Sequence, residues 1–407
     1  PEYGAIFEDG GGVQADLLGT YFIGKVENRT LFTLEFNDYY RDDPAAQIGG
    51  AQLAGWTPIR SFRVLPDLSG PDGEIPYLNS DLDLSTAILR RDNKNRNSIW
   101  GTLVRHQASF WNSRLMLFGG ARLDYVIYRL RDRQNNRQNR FTFTEVTPNL
   151  GASFKVVPGW HAFVNYSEGF FPNTQSITAA QVASNYDSER AQGLEYGFKG
   201  AFMEERLTFT LNAYRIERQN VRVDDIDPVT GLQVVNFEGS QLVRGVELDT
   251  SWEITDDLTT GFSLGYVDAQ ITDLGLKTAS VGRSPARISP YNGGAYLRYR
   301  PRSGVLNGFS GNVGVTYFSS TPVSNPDAGD TYTNGVLVRS TEEWKIKVPG
   351  TAVVNAGIRY RFNADSKRRL SHTIGVNVNN ALDSYYLKSS RGLGDRRSFF
   401  FNYTVQY

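Results

Sequence analysis

The C-terminal segment, Ser398 to Tyr407, alternates apolar and polar residues with a period of two. One side carries Phe399, Phe401, Tyr403, Val405 and Tyr407, and the other carries Asn402, Thr404 and Gln406. Because successive strand side chains point to opposite faces, the pattern predicts a β-strand with one apolar face. Such a strand, left uncovered in a soluble protein, would pair edge to edge with other copies. A closed barrel in lipid removes this problem, so the segment favours a transmembrane barrel over the last strand of a soluble sandwich.

The composition of the 407-residue chain fits one large β domain. Tyr (22), Phe (24) and Gly (40) are abundant, as expected for aromatic girdles and pleated strands. No run of about eighteen apolar residues could span a bilayer as a helix, whereas a barrel strand needs lipid contact only at every second residue. Lys plus Arg and Asp plus Glu number 43 each, which implies no polybasic surface for nucleic acid. The absence of cysteine excludes disulfides and thiolate metal sites.

The same alternation recurs through the chain and predicts an all-β fold of fifteen antiparallel strands. It is clearest at 31–37, 206–213 and 245–253, where apolar and polar residues fall on opposite sides. The predicted strands are 12–23, 29–41, 96–109, 114–129, 141–156, 160–170, 191–201, 205–219, 234–253, 258–271, 289–300, 308–319, 350–362, 370–379 and 398–407.

The connections between these strands alternate strictly between short and long. Short turns are predicted at 24–28, 111–113, 157–159, 203–204, 254–257, 301–307 and 363–369, and long loops at 42–95, 130–140, 171–190, 220–233, 272–288, 320–349 and 380–397. Outer-membrane barrels place short turns in the periplasm and long loops outside the cell, whereas a sandwich has no reason to separate them. Tracing back from the last strand puts residues 1–11 in an extracellular loop, and such barrels usually have an even strand number. We therefore expect a barrel truncated at its N-terminus, with further strands upstream of Pro1.

Several sequence segments carry a family resemblance along essentially the whole chain. They are the hairpin 14–36, LFGGARLD at 117–124, YSEGFFP at 166–172, SER at 188–190 followed by LEYGFKG at 194–200, RGVEL at 244–248 and VNNALDSYY at 378–386. In this order and spacing they resemble TonB-dependent outer-membrane receptors, in particular the ferric-siderophore branch.

The resemblance implies a plug domain inside a barrel of about 22 strands. Residues 1–407 would then be the C-terminal part of that barrel, without the plug and with about seven strands missing. The implied function is TonB-energised uptake of a ferric siderophore across the outer membrane of a diderm bacterium. TonB would act through the missing plug, and the barrel would need no cofactor and perform no enzymatic reaction. The resemblance also implies that the barrel-assembly machinery recognises the terminal aromatic row, with Tyr407 as its last residue.

Bulky ferric siderophores are often anionic or aromatic, so aromatic side chains for stacking and arginines for charge pairing are the suitable groups near the extracellular rim. The candidates are Phe170, Phe171, Tyr186, Trp344, Tyr385, Tyr386 and Arg391, with Trp56 and Tyr77 in the longest loop. Girdle or loop packing is the alternative reading for each of them. Charges expected in the lumen are Arg122, Asp124, Glu247, Asp249, Glu253, Arg359 and Arg361, which we expect to pair across strands or with a plug.

Other chemistry has weaker support in the sequence. The three histidines, His106, His161 and His372, are far apart, and no metal site is expected from them. The acidic run at 224–227 lacks the spacing of a calcium loop, and the glycines at 392–394 lack the context of a nucleotide loop, so both are expected to be solvated loop residues. A passive porin-like or adhesin-like barrel, a barrel hydrolase, and a receptor for cobalamin, sugars or another metal chelate stay open as alternatives.

Overall fold

The structure is a computed structural model that describes residues 2–4, 7–47, 88–133, 136–173, 187–226, 233–275, 280–323, 331–333, 336–338, 346–363, 370–389 and 392–406. Almost all of the described chain is β-strand. Among these residues, no helix is long and apolar enough to cross a membrane.

Fifteen long strands form one antiparallel sheet in which each strand pairs with its neighbours in sequence. They are β1 (Phe7–Ile23), β2 (Val26–Gln47), β3 (Ile88–Phe110), β4 (Leu115–Asp132), β5 (Arg137–Val157), β6 (Trp160–Phe171), β7 (Glu189–Phe202), β8 (Leu207–Ile226), β9 (Gln233–Glu253), β10 (Leu258–Asp273), β11 (Tyr291–Tyr299), β12 (Phe309–Phe318), β13 (Thr351–Asn363), β14 (Ser371–Asn379) and β15 (Ser398–Gln406). A short strand, Glu2–Gly4, continues the line of β1 along the far end of β2. The prediction of an all-β antiparallel fold with fifteen strands is confirmed.

Several strands are longer than predicted at the end away from the short turns. β2 ends at Gln47 instead of residue 41, β3 begins at Ile88 instead of 96, and β8 ends at Ile226 instead of 219. The prediction followed apolar alternation, and alternation is lost where both faces of a strand meet water, although the backbone ladder continues. Asp224 and Asp225, expected in a solvated loop, therefore lie in β8 opposite β9.

The short turns at the other end are tight. In the β3–β4 turn, Trp111, Asn112 and Ser113 have φ values of 53°, 53° and 61°. Non-glycine residues adopt this left-handed region at a cost of about 1–2 kcal/mol each, so the flanking ladders must hold the turn closed. The β7–β8 turn repeats the conformation at residues 203–205.

The two faces of the sheet differ in chemistry. On one face, Trp100, Leu123 and Val146 are 55%, 46% and 52% exposed, as expected for side chains that meet lipid. On the other face, Thr33 and Asp124 are each only 4% exposed because neighbouring polar side chains surround them. The first is the outer, lipid-facing surface and the second is the lumen face.

Aromatic rings mark both edges of the apolar band. On the long-loop side, Phe36 contacts Trp100 with ring centroids 4.3 Å apart, and Tyr266 contacts Tyr291 at 5.1 Å. On the short-turn side, Trp160, Phe202 and Phe209 form one aromatic group, and Phe309, Tyr360, Phe362, His372 and Tyr403 form another. Between Tyr291 and Tyr299, β11 advances roughly 27 Å at about 3.4 Å per residue, or about 20 Å after tilting, near the thickness of a barrel's apolar band.

The sheet has two ends within the described part of the chain. There, β15 pairs with β14 and β1 pairs with β2, and neither pairs with a second long strand on its other side. Within the described part of the chain, β15 therefore has one edge without a paired strand.

Candidate functional site

Aromatic and ion-paired side chains meet on β6, β7 and β8 at the sheet end away from the short turns. We call this group the rim cluster: Phe170, Phe171, Glu189, Arg190 and Arg218. The β6–β7 ladder sets Phe170 opposite Arg190 and Phe171 opposite Glu189. The β7–β8 ladder places Arg218 opposite the next residue of β7, Ala191. The antiparallel register therefore brings these residues to one edge of the sheet, with Phe171, Glu189 and Arg218 on its lumen face and Phe170 and Arg190 on the opposite face.

The two phenylalanines of the rim cluster have different surroundings. Phe170 packs against a buried apolar group made of Val126, Phe141 and Phe143. Phe171 is 51% exposed. Phe170 thus packs against this apolar group, and Phe171 has an exposed aromatic surface on which a ligand could stack.

The two arginines of the rim cluster are each held by a carboxylate. Arg190 donates from Nη2 to Oε2 of Glu145, whose side chain is buried. Arg218 donates from Nε (2.8 Å) and Nη2 (2.5 Å) to Oε1 of Glu189, and from Nη1 to Oε1 of Gln241 (2.9 Å). A guanidinium has five N–H donors, so each arginine is fixed in position and keeps donors for an anionic ligand.

An interruption of the sheet lets Arg190 reach Glu145. The β5–β6 ladder runs from Trp160 upward and stops at the pair Asn149–Ser167. The next residue of β5 is Pro148, which has no backbone N–H to donate to β6. β5 and β6 therefore part at this point, and the side chain of Arg190 can bridge to the carboxylate of Glu145.

A second aromatic pair lies in the connection between β14 and β15. Tyr385 is 75% exposed, and the guanidinium of Arg396 lies over its ring at 3.9 Å from the centroid. Arg396 also forms an ion pair with Asp383. The ring of Tyr386 lies where a Cβ on Gly394 would fall, so a glycine is required there. Residues 387–389 and 392–393 form a short hairpin, a feature that was expected to be an irregular loop tip.

Asn380 organises this connection. Its side chain is 1% exposed, and its Nδ2 donates to the backbone oxygens of Ser384 (2.8 Å) and Asp395 (3.0 Å). Its Oδ1 accepts from the backbone N–H of Ser384 at 2.9 Å, and its own N–H donates to Oδ1 of Asn355 at 2.9 Å. Asn380, the second asparagine of the VNNALDSYY segment, thus closes the loop between β14 and β15.

Asp383 is the electrostatic centre of the same loop. Its pKa is held well below the usual range for an aspartate, first by hydrogen bonds from the Arg396 guanidinium and then by the backbone N–H of Arg397. The same contact raises the pKa of Arg396. Tyr385 and Arg396 are therefore presented to solvent on a charged, ordered support.

On the lumen face, Arg122 of β4 links to β2 across β3. Its Nη1 lies 2.7 Å from Oε2 of Glu35 on β2, and its Nη2 lies 2.8 Å from Oδ1 of Asp124 on its own strand. Gly101 of β3 leaves the necessary room, because a Cβ there would lie 2.3 Å from the guanidinium. The sequence prediction of pairing across strands is confirmed for Arg122, whereas Asp124 pairs within β4.

A cavity of about 780 Å³ opens on the lumen face near the short turns of β11 to β13. Five arginines contribute to its wall: Arg298, Arg300, Arg302, Arg359 and Arg361. Among the described residues that line it, no side chain is a carboxylate. Arg359 and Arg361 were expected to form ion pairs; here they belong to an electropositive surface, and Arg361 donates to Oγ of Ser371 at 3.2 Å.

The structure brings together some of the predicted site residues. Phe170 and Phe171 are adjacent on β6, and Tyr385 and Tyr386 are adjacent after β14, but strands β7 to β13 separate the two pairs. The other predicted residues lie outside the described part of the chain: Tyr186, Trp344, Arg391, Trp56, Tyr77 and Tyr407. In β15, Phe399, Phe401 and Tyr403 are 57%, 78% and 63% exposed on the outer surface.

Sequence reasoning missed the two arginines of the rim cluster. Arg190 was quoted only as part of the SER segment, and Arg218 follows Glu217 in a strand with no distinctive motif. Their proximity depends on the β7–β8 register and on the gap beside Pro148, which alternation does not reveal.

As for metal chemistry, the described residues contain no group of three or more His, Cys, Asp or Glu side chains that could hold an ion.

Comparison with known proteins relates this architecture to one family. The family described as TonB dependent receptor-like, beta-barrel matches residues 3–381. That match covers nearly the whole chain.

Two relatives by sequence are receptors. The chain is 25% identical over 402 residues to a protein of Pseudomonas aeruginosa (strain UCBPP-PA14) named metal-pseudopaline receptor CntO, covering 97% of this chain and 51% of that protein. It is 29% identical over 252 residues to the probable TonB-dependent siderophore receptor PiuA of Acinetobacter baumannii, covering 59% of this chain and 30% of that protein. The chain thus spans about half the length, or less, of the curated relatives it matches.

The fold also matches solved structures. The crystal structure of the siderophore receptor PiuA from Acinetobacter baumannii superimposes with a TM-score of 0.74 at 19% identity, covering 98% of this chain and 56% of that chain. At this level of identity the match concerns the barrel fold alone.

Proposed function

The chain belongs to the TonB-dependent receptor β-barrel family, and we propose that it forms part of an outer-membrane receptor that takes up a ferric siderophore with energy from TonB. Its strands lie in the bacterial outer membrane, as in the family as a whole. The observation that carries the proposal is the family match along 3–381. A relative named as a probable siderophore receptor supports it. The transport activity, the identity of the ligand and the contact with TonB are what we propose.

The proposal treats the 407 residues as a portion of one barrel domain, in keeping with the share of the relatives that they cover. A plug domain supplied by sequence outside this chain would take the TonB contact. The barrel-assembly machinery is a proposed partner of the terminal aromatic row Phe399, Phe401, Tyr403 and Tyr407.

The rim cluster is the proposed place of ligand capture. A ferric siderophore presents anionic oxygens and flat aromatic or amide surfaces. Arg218 can pair with the oxygens, and Phe171, on the same face, can stack on the flat surface. Tyr385 with Arg396 offers the same pair of chemistries in the connection between β14 and β15. Tyr186, Trp344, Tyr386 and Arg391 remain proposed contacts from the neighbouring connections.

The lumen supplies a polar path after capture. Once a plug rearranges, a released anionic chelate would meet the arginine-lined cavity near the short turns of β11 to β13. The positive surface would favour passage of an anion toward the periplasm, while the paired charges around Arg122 hold the strands in place.

A second candidate ligand follows from one of the sequence relatives. That protein is named a metal-pseudopaline receptor and matches 97% of this chain. A metal chelate other than a ferric siderophore is therefore the alternative substrate class, and cobalamin is a third.

A binding titration separates these ligands. Intrinsic fluorescence of the purified protein would be followed with ferric hydroxamate, ferric catecholate and ferric citrate, then metal complexes of pseudopaline, then cobalamin. Saturable quenching by a ferric siderophore alone supports the proposal. Binding of the metal-pseudopaline complexes alone selects the second candidate, and binding of cobalamin alone rejects both.

Substitutions then locate the site. Arg218→Gln should weaken ferric siderophore binding about tenfold, because a charged hydrogen bond contributes roughly 1.5–3 kcal/mol and about 1.4 kcal/mol is a factor of ten. Arg215→Gln is the matched control, since Arg215 pairs with Glu217 on the same strand but is not in the rim cluster. Equal affinity of the two variants for the ferric siderophore would remove Arg218 from the site.

A further inference from the structure

Three arginines lie side by side on the outer surface of β3, β4 and β5. The register pairs Arg96 with Arg129 and Arg129 with Arg140, so all three point to the same face of adjacent strands. We call them the arginine row. All three are exposed.

The arginine row is unfavourable by itself. Directly opposed residues in an antiparallel ladder have Cβ atoms about 5 Å apart, and like charges in this position destabilise the pair. Arg96 is compensated by Asp38, with nitrogen–oxygen distances of 2.9–3.0 Å. Arg129 reaches only Oγ of Ser98, at 3.4 Å. Within the described part of the chain, no carboxylate lies within ion-pair distance of Arg129 or Arg140. An anion between them would remove the repulsion.

The charged surface extends by one more register position. Lys94 lies opposite Arg131, next to Asp42, whose carboxylate Arg133 holds at 2.5 Å. Cationic side chains therefore outnumber carboxylates on this outer surface of β2 to β5, although the whole chain has no net charge. The net charge of this surface is therefore positive.

The height of the arginine row relative to the membrane follows from the aromatic girdle. Phe36, Trp100 and Tyr125 lie in one register line on the same face, four residues below. Four residues advance a strand about 13 Å, or about 10 Å along the membrane normal after a tilt of roughly 40°. The polar layer of one leaflet is about 5–8 Å thick beyond the hydrocarbon, and arginine side chains can extend several ångströms back toward it. The row thus borders the headgroups of the outer leaflet.

We propose that the arginine row binds the phosphate groups of the anionic glycolipid in the outer leaflet of the outer membrane. The occupant is argued from charge complementarity, from Arg129 and Arg140, neither of which forms an ion pair with a carboxylate in the described part of the chain, and from continuity with the lipid-facing aromatic girdle directly below. Two guanidinium groups in register can hold one phosphate with paired N–H donors. The acyl chains of the same lipid would lie on the rings of Trp100 and Tyr125.

The test measures lipid binding to the purified protein after detergent exchange has removed native lipid. Native mass spectrometry would count bound lipid A bisphosphate, its fully dephosphorylated form, and inorganic phosphate. The double variant Arg129→Gln/Arg140→Gln should bind the bisphosphate at least tenfold more weakly than the parent, with no change for the dephosphorylated lipid. The double variant Arg129→Lys/Arg140→Lys, which keeps the charge, should retain most of the affinity.

The matched control is Arg114→Gln/Arg206→Gln, which removes the same charge at the short-turn end of the barrel. It should bind the bisphosphate like the parent protein. Heat-modifiable mobility on electrophoresis confirms that each variant is folded. Unchanged affinity in the Arg129→Gln/Arg140→Gln variant would overturn the proposal, and so would binding of inorganic phosphate as strong as that of the lipid. A loss of bisphosphate binding in the control as large as that in the row variant would also overturn it.

Discussion

Asn380 shows how one buried side chain fixes a connection that carries candidate ligand residues. Replacement by alanine removes its three side-chain hydrogen bonds to Ser384 and Asp395, and forces alanine into a backbone with φ of 47°. Each lost bond that leaves a buried group unsatisfied costs about 1 kcal/mol or more, and the left-handed conformation about 1 kcal/mol further. We expect amide hydrogen exchange in 380–389 and 392–397 to become roughly a thousandfold faster, because these costs add to about 4 kcal/mol and each 1.4 kcal/mol is about a factor of ten. The exposed neighbour Asn379, changed to alanine, should leave exchange unaltered, and equal effects of the two substitutions would contradict the role given to Asn380.

Asp383 makes a prediction about pH. Its pKa in the folded protein is depressed by Arg396, so its contribution to stability is complete above the ordinary aspartate pKa of about 3.9 and is lost only as the pH falls through the lower folded value. The readout is the Arg397 amide, which donates to the Asp383 carboxylate at 2.9 Å. Its protection relative to Asp383→Asn, compared at equal pH, should stay constant from about pH 7 to about pH 4 and decline below that. A decline centred near the ordinary aspartate pKa would show that the ion pair is absent.

At the scale of the element, β15 separates a lipid-facing row from a lumen-facing row. Phe401 is 78% exposed on the outer surface, and Asn402 faces the lumen beside Gly375. A lysine on the lipid face near mid-membrane costs about 2–4 kcal/mol, whereas lumen substitutions are tolerated. We expect Phe401→Lys to lower the amount of heat-modifiable protein in outer membranes severalfold and Asn402→Lys to leave it near the parent level. A larger loss of protein for Asn402→Lys than for Phe401→Lys would show that the lipid face and the lumen face of β15 have been exchanged.

Strands of this kind are predictable from sequence within the membrane and less so outside it. The alternation of Phe399, Phe401 and Tyr403 is imposed by lipid on one side and water on the other, so it could be recognised without a structure. Beyond the girdle both faces are wet, and the ends of β2, β3 and β8 were therefore placed six to eight residues short. The same reasoning explains why Asp224 was expected in a loop.

At the scale of the whole molecule, the fold followed from the sequence more fully than the site. Strand number, order and the identity of the aromatic rows depend on local periodicity and on turn spacing. The rim cluster depends on which residues become opposite when strands pair and on the parting of β5 and β6 beside Pro148. Arg190 and Arg218 could be found only once the register was known, whereas Phe171 and Tyr385 could be proposed from aromatic residues near strand ends.

Uptake of iron by living cells is the most direct test of the central claim. Cells that make the protein would be given the radiolabelled ferric siderophore that binds best, and compared with isogenic cells that lack the protein and with cells that lack TonB. The account predicts saturable uptake that requires both the protein and TonB, and a reduction by Arg218→Gln that parallels its loss of binding. Uptake that persists without TonB, or that is the same without the protein, would contradict it.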